Sequence, residues 1–268
     1  AMAEFVTDDD CTLYYEPYGF DREGDVVVFL NGMTQSTAHW KSQAKGFAKR
    51  GFRVLTYDAR GQGQSDLGDR DITLELHAHD LAALLDAVDV ERAHLVGFSH
   101  GARVALGAAN FHPDRLDRLV LCSATAESTA LARTIVRSWH QILTQGGLEA
   151  MSWSALPTIL GNDFLAQNEA ILDGIVRAAT QRNTKEGVHA LLEALMDFPE
   201  LDQLTENVEA PTLVVSADED LLVTADGARK LADLLDGDHR LIEGVGHTIP
   251  IEAPEEFRDV VAAFLSTS

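Results

Sequence analysis

The sequence predicts an α/β protein: a mostly parallel, doubly wound sheet with helices on both faces, carrying an inserted helical cap. Three observations predict it. Short β-rich runs recur along the chain, and several are continuously apolar, the pattern of strands buried on both faces of a parallel sheet. Segments with apolar residues three and four apart lie between them, as helices facing such a sheet require. The alternation then stops between about 125 and 205, where only helical patterns follow one another.

Taken in order, the strand candidates are DVVVFL (25–30), FRVLTY (52–57), AHLVGF (93–98), RLVLCS (118–123), TLVVSA (212–217) and HRLIEG (239–244). The helices between them are HWKSQAKGFAKRG, which ends at a glycine, TLELHAHDLAALLDAVD, HGARVALGAAN and ADGARKLADLL. An all-helical insertion in such a sheet lies over the carboxyl ends of the strands, where open α/β sheets bind ligands. The expected division is therefore a core from 1–124, a cap from 125–205 and the rest of the core from 206–268.

With 268 residues, 46% of them hydrophobic, the chain can bury a substantial core. No stretch approaches the roughly 18 consecutive apolar residues of a spanning helix, and AMAEFVTDDD has neither a basic leader nor an apolar run. A soluble, cytoplasmic protein without a signal peptide is expected. Ala1 ahead of Met2 reads as a residue left by an expression tag. The 43 acidic and 21 basic side chains give a formal charge of −22, which repels phosphate backbones and anionic bilayers, so neither nucleic acid nor membrane is an expected partner. A solvated acidic surface and adaptation to high salt both account for the charge. Cys11 and Cys122 are too few for a disulfide scaffold, and Cys122 closes an apolar run as a small buried hydrophobe.

GFSHG, residues 97–101, sits where the strand AHLVGF turns into the helix that follows. Ser99 there is either a helix cap or a nucleophile on a tight turn. The G-x-S-x-G spacing favours the nucleophile elbow, in which Gly97 and Gly101 leave room for the neighbouring strand and helix. The helix start also aims free amides at a developing oxyanion. Among ten histidines, His247 in EGVGHTIPIE is the candidate base, because it follows the last strand in a glycine-flanked loop. The acid belongs after another strand, where TLVVSADED offers Asp218, Glu219 and Asp220; Asp220 is favoured, with Asp218 its rival. His77 and His79 do not share a helix face, and no H-E-x-x-H or Cys/His zinc spacing occurs, so no metal site is expected.

These residues resemble the α/β-hydrolase superfamily, specifically its small, cofactor-independent serine hydrolases with a helical cap, over nearly the whole chain. The family's acid-loop register falls on Ala217 to Asp220 and selects Asp220. Its terminal G-x-G-H is matched by Gly244, Gly246 and His247, and its D-x-R-G-x-G-x-S by Asp58, Arg60, Gly61, Gly63 and Ser65. The latter segment is expected to be architectural, with Asp58 and Arg60 paired. Where relatives carry His-Gly after the first long strand this chain has Asn31-Gly32, so Asn31 either holds the loop or touches substrate. The resemblance implies oxyanion donors at the backbone N–H of Met33 and His100. It also implies cleavage of a small or medium ester, thioester or lactone with no cofactor, and sequence leaves the oligomeric state open. Trp139, His140, Met151, Trp153 and Phe164 of the cap are candidates for an acyl pocket or for ordinary packing. Carbon–carbon bond hydrolases, cofactor-free haloperoxidases, cofactor-free dioxygenases using a Ser99–His100 pair with Glu127, and non-catalytic ligand receptors share the scaffold and remain as alternatives.

Overall fold

The computed structural model describes residues 3–267; Ala1, read above as a tag remnant, lies outside them. Eight strands form one sheet in the order β1-β2-β4-β3-β5-β6-β7-β8. They are β1 (Ala3–Val6), β2 (Thr12–Tyr18), β3 (Val26–Leu30), β4 (Arg53–Tyr57), β5 (Ala93–Phe98), β6 (Leu116–Cys122), β7 (Thr212–Ala217) and β8 (Asp238–Ile242). The six strands from β3 onward are the six apolar runs, and every pairing among them is parallel.

The sequence reading omitted β1 and β2, which add an antiparallel edge. Pro17 argues against a central strand because it cannot donate to a ladder. It is tolerated in β2 because β1 reaches only to the register of Tyr15, leaving Pro17 opposite Leu55 of β4 on one side alone.

Alternate residues of the parallel strands feed two separate cores. Val26, Val28, Leu30, Leu95 and Val214 face one layer, built with α2 (Leu74–Ala87), α3 (His100–Phe111) and α9 (Ala225–Leu234). Val27, Phe29, Val96 and Val215 face the other, built with α1 (Lys41–Lys49) and α11 (Pro254–Leu265), next to the short α10 (Ile249–Glu252). This explains why the central runs are continuously apolar. Burying a side chain such as Phe29 or Leu95, both with no exposed area, contributes about 1.5–3 kcal/mol each before entropy is counted.

Between β6 and β7 the chain forms α4 (Ala130–Gly146), α5 (Leu148–Ile159), α6 (Asn162–Asn168), α7 (Leu172–Arg182) and α8 (Lys185–Asp197), with no strand among them. Their apolar faces make two small cores of their own, around Leu143, Met151, Val188 and Leu192 and around Leu156, Leu160 and Val176. Among the described residues no helix is long and apolar enough to cross a membrane, and both cysteines are free and buried.

Candidate active site

Ser99 stands one residue past β5 with φ of 55° and ψ of −112°, a conformation that side chains other than glycine adopt only under constraint. The constraint is visible. Its amide donates to Cys122 O at 2.8 Å on the adjacent strand, and its carbonyl accepts from Ala102 N at 2.9 Å as α3 begins. A Cβ at Gly97 would strike the Gly101 carbonyl oxygen, and one at Gly101 would strike that of Leu30. Both elbow glycines are therefore steric necessities of packing α3 against β5 and β3. Ser99 makes no side-chain cap bond to the helix, which disposes of the capping alternative.

His247 follows β8 and is 4% exposed. Its Nε2 lies 2.7 Å from Ser99 Oγ, and its Nδ1 lies 2.7 Å from Asp220 Oδ2. In the catalytically useful tautomer Nδ1–H donates to the carboxylate and Nε2 accepts from the serine hydroxyl. The other oxygen of Asp220 accepts from the amides of Leu222 at 2.8 Å and Val223 at 3.1 Å, so the carboxylate cannot rotate. Asp218 is engaged elsewhere: its Oδ1 caps the turn before the histidine by accepting from Gly244 N at 2.8 Å.

Neighbouring residues brace the His247 loop. Ser123, at the end of β6 and itself at φ 59°, donates from Oγ to His247 O at 2.7 Å. Glu252 accepts from Gly246 N at 3.0 Å and from Gly161 N of the cap at 2.7 Å, and Thr248 donates to its second oxygen at 2.8 Å. One carboxylate thus ties the histidine loop to the α5–α6 corner. Sequence reasoning missed both residues, since neither falls in a motif and the contacts that reveal them, Ser123 to His247 and Glu252 to Gly161, span 124 and 91 residues.

Met33 follows β3, and among the described residues neither its N–H nor that of His100 donates to a protein acceptor. Met33 and His100 both line the cavity at Ser99, where an oxyanion hole would need its donors. Gln62, which the sequence reading passed over, donates to Gly32 O at 2.9 Å and Met33 O at 3.2 Å, while Gln35 accepts from Gly32 N at 2.8 Å. Asn31 is buried and borders neither cavity. Its amide donates to Tyr57 O and Asp58 Oδ1, both at 3.1 Å, and its oxygen accepts from Trp40 Nε1 at 2.9 Å.

Asp58 and Arg60 do not pair, contrary to expectation. Asp58 accepts from the Thr37 amide at 2.9 Å, the Gln64 amide at 3.0 Å and Asn31. Arg60 is fully buried and forks onto Asp80 at 2.7 and 2.9 Å and onto Asp9 at 2.9 and 3.1 Å. The Arg60 guanidinium holds the Asp9 carboxyl well below the usual range, whereas burial pushes Asp80 up against the pull of Arg60.

The cap candidates divide. Trp139 borders both cavities at Ser99, and Met151 and Phe164 border the larger. Trp153 is 39% exposed and faces away, and His140 faces His189 and Glu193 instead of either cavity. Among the described residues, His140, His189 and Glu193 are the group with metal-ligand chemistry; it spans α4 and α8, and its imidazoles share one carboxylate at 3.3 and 3.6 Å. The His100 ring packs against His77 and Phe198, and burial holds its pKa down at about 4.

The alpha/beta hydrolase fold family matches residues 25–254. This chain belongs to that family. It is 30% identical over 258 residues to a Caulobacter sp. (strain K31) protein named "Putative carbamate hydrolase RutD", covering 95% of this chain and 96% of that one. An enol-lactonase from Burkholderia xenovorans LB400 superposes with a TM-score of 0.88 at 25% identity, over 99% of this chain and 100% of that one. The alpha/beta hydrolase MGS-M2, from a Medee basin deep-sea metagenome library, superposes with a TM-score of 0.91 at 25% identity, over 99% and 98%. The expected fold class holds, and the chain is a hydrolytic enzyme.

Proposed function

We propose that this enzyme is a serine hydrolase that cleaves small or medium carboxylic esters, thioesters or lactones through an acyl-enzyme on Ser99. The observation that carries the reading is the unbroken Ser99–His247–Asp220 chain of 2.7 Å contacts beside two unclaimed amides. His247 Nε2 takes the hydroxyl proton as Oγ attacks the carbonyl, and the N–H groups of Met33 and His100 receive the oxyanion. Asp220 holds the imidazole in the accepting tautomer and stabilises the imidazolium. His247 then gives its proton to the leaving group, and water, deprotonated by the same nitrogen, releases the acid. No step calls for a cofactor.

The apolar arm of the ester is assigned to the larger cavity, about 470 Å³, whose walls include Met151, Leu156, Ile159, Phe164 and Val176. A volume of that size suits a drug-sized apolar group. The carbonyl-hydrolase names of the Caulobacter and Burkholderia relatives agree with this chemistry. The dioxygenase alternative has little to support it: Ser99 Oγ is hydrogen-bonded to His247 and not to the His100 ring, and Glu127 is paired with Lys230.

Fluorophosphonate labelling tests the assignment. Wild type should label once, at Ser99; folded Ser99→Ala should not label, and His247→Ala should label far more slowly. Undiminished labelling of Ser99→Ala would remove the serine from its role.

A further inference from the structure

The space at Ser99 comprises two chambers, of which the smaller is richer in arginine. Met33, Ser99, Trp139, Leu222 and His247 border both, so the nucleophile stands at their junction. The larger chamber is lined mostly by apolar side chains and contains no carboxylate; its ionisable residues are His39, His247 and the exposed Arg182. The smaller, about 320 Å³, carries Arg103 in its wall, with the exposed Arg133 and Arg137 beside it, against the single carboxylate of Glu200. Three arginines converge there in a chain whose acidic side chains outnumber basic ones 43 to 21.

Arg103 lies one helical turn beyond the nucleophile, its amide donating to Ser99 O at 3.3 Å, and that spacing puts its side chain on the Ser99 side of α3. Its guanidinium has five N–H donors. One is used: Nη2 donates to Ser128 Oγ at 3.3 Å. Ser128 passes its own proton to Glu200 Oε2 at 3.1 Å, and the same oxygen accepts from Ser128 N at 3.0 Å. Glu200 is therefore one hydroxyl removed from the guanidinium, and no carboxylate of the described residues pairs with Arg103 directly. The contrast with Arg60 is instructive, because that buried guanidinium is saturated by two carboxylates. Burial lowers the pKa of Arg103, with Glu200 pulling the other way. Arg103 is half-buried, and a guanidinium with unspent donors at a cavity wall can pair with an anion that arrives with the ligand.

We propose that the smaller chamber is an anion subsite, and that the substrate is an amphiphilic acyl compound with an apolar arm in the larger chamber and a carboxylate on the opposite arm, held by Arg103. This rests on the serine-hydrolase reading above. A planar carboxylate fits the guanidinium fork bidentately, with the scissile carbonyl left over Ser99. Arg133 and Arg137 draw the anion in against the repulsion of an acidic surface, a salt-screened effect.

Two matched ester pairs test it, each comparing an acid with its uncharged amide. On the alcohol arm the pair is 4-carboxyphenyl and 4-carbamoylphenyl butyrate; on the acyl arm it is phenyl hydrogen adipate and phenyl adipamate. In at least one pair, wild type should prefer the acid about tenfold or more in kcat/KM, mainly through KM. Arg103→Gln should bring the acid down to the level of the amide and leave the amide within about twofold. Arg103→Lys should restore part of the preference. Equal treatment of acid and amide in both pairs, or a preference that survives Arg103→Gln while fluorophosphonate still labels Ser99, would overturn the proposal. Absence of labelling and of all turnover in wild type would overturn the serine-hydrolase reading and this proposal with it.

Discussion

Replacing Asp220 with Asn isolates what the carboxylate does, because the local geometry dictates how the amide must sit. The Oδ1 position accepts two backbone N–H groups, from Leu222 and Val223, at 2.8 and 3.1 Å. Only the carbonyl oxygen of Asn can take that place, so its NH2 group is forced toward His247 Nδ1, 2.7 Å away in the wild type. Nδ1 must then accept, the ring proton moves to Nε2, and Nε2 meets the Ser99 hydroxyl as a donor. A histidine in that tautomer cannot take the serine proton. The expected loss in kcat is on the order of 10⁴, or about 5 kcal/mol of barrier. Asp218→Asn, which removes only a turn-capping charge, should stay within about twofold. Steady-state hydrolysis of p-nitrophenyl butyrate by both variants, each checked for its native unfolding transition, gives the comparison. An Asp220→Asn enzyme within tenfold of wild type, or an equal loss at Asp218, would refute the reasoning.

Two further outcomes follow from buried charge. Arg60→Met strands Asp80, whose side chain is 2% exposed, and should cost about 3–5 kcal/mol in urea unfolding without abolishing Ser99 labelling of the folded fraction; a loss under about 1 kcal/mol would contradict the buried triad. Burial holds His100 down at about 4 and His77 well below the usual imidazole range, so both stay neutral in the fold while the unfolded chain takes up protons below about 6.5. Stability is therefore full above pH 6.5 and falls as the pH drops toward 4, by about 3 kcal/mol from His100 alone. His77→Phe should flatten the slope of unfolding free energy between pH 6.5 and 5 by about one proton, or about 1.4 kcal/mol per pH unit, and an unchanged slope would count against the burial argument.

What the sequence exposed, and what it hid, divides by the range of the interaction. The parallel strands were legible because burial on both faces writes itself into consecutive residues such as Val26 to Leu30. The elbow was legible because its steric demands fall on glycines two residues either side of Ser99. Asp218 and Asp220 lie two residues apart on one loop, and residue spacing alone could only rank them; their separation depends on which carboxylate the Leu222 and Val223 amides capture. Arg60 was recognised as architectural but given the wrong partner, since Asp9 and Asp80 are 51 and 20 residues away in sequence. His140 and Trp153 have the right chemistry for a pocket, but their helix faces turn elsewhere. Arg103 and Glu252 carried no signal, because their meaning lies in contacts to Ser128 and to Gly161 and Gly246 that no local pattern encodes.

The strained backbone at the site has a mechanical logic. Ser99 and Ser123 end neighbouring strands, and both hold positive φ, each at a cost of about 1–3 kcal/mol that the surrounding structure must offset. For Ser99 the strain lifts the hydroxyl clear of the sheet and starts α3 directly beneath it, so the amide of His100 comes free. For Ser123 the strain aims Oγ at the backbone carbonyl of His247, fixing the histidine loop. The two distortions are coupled through the sheet, since Ser99 N donates to Cys122 O and Ser123 N donates to Val215 O. The β5, β6 and β7 ladder therefore sets the distance from Ser99 to His247 through fully buried strand segments. Residues on loops supply the chemistry, but the precision of their meeting is a property of the core.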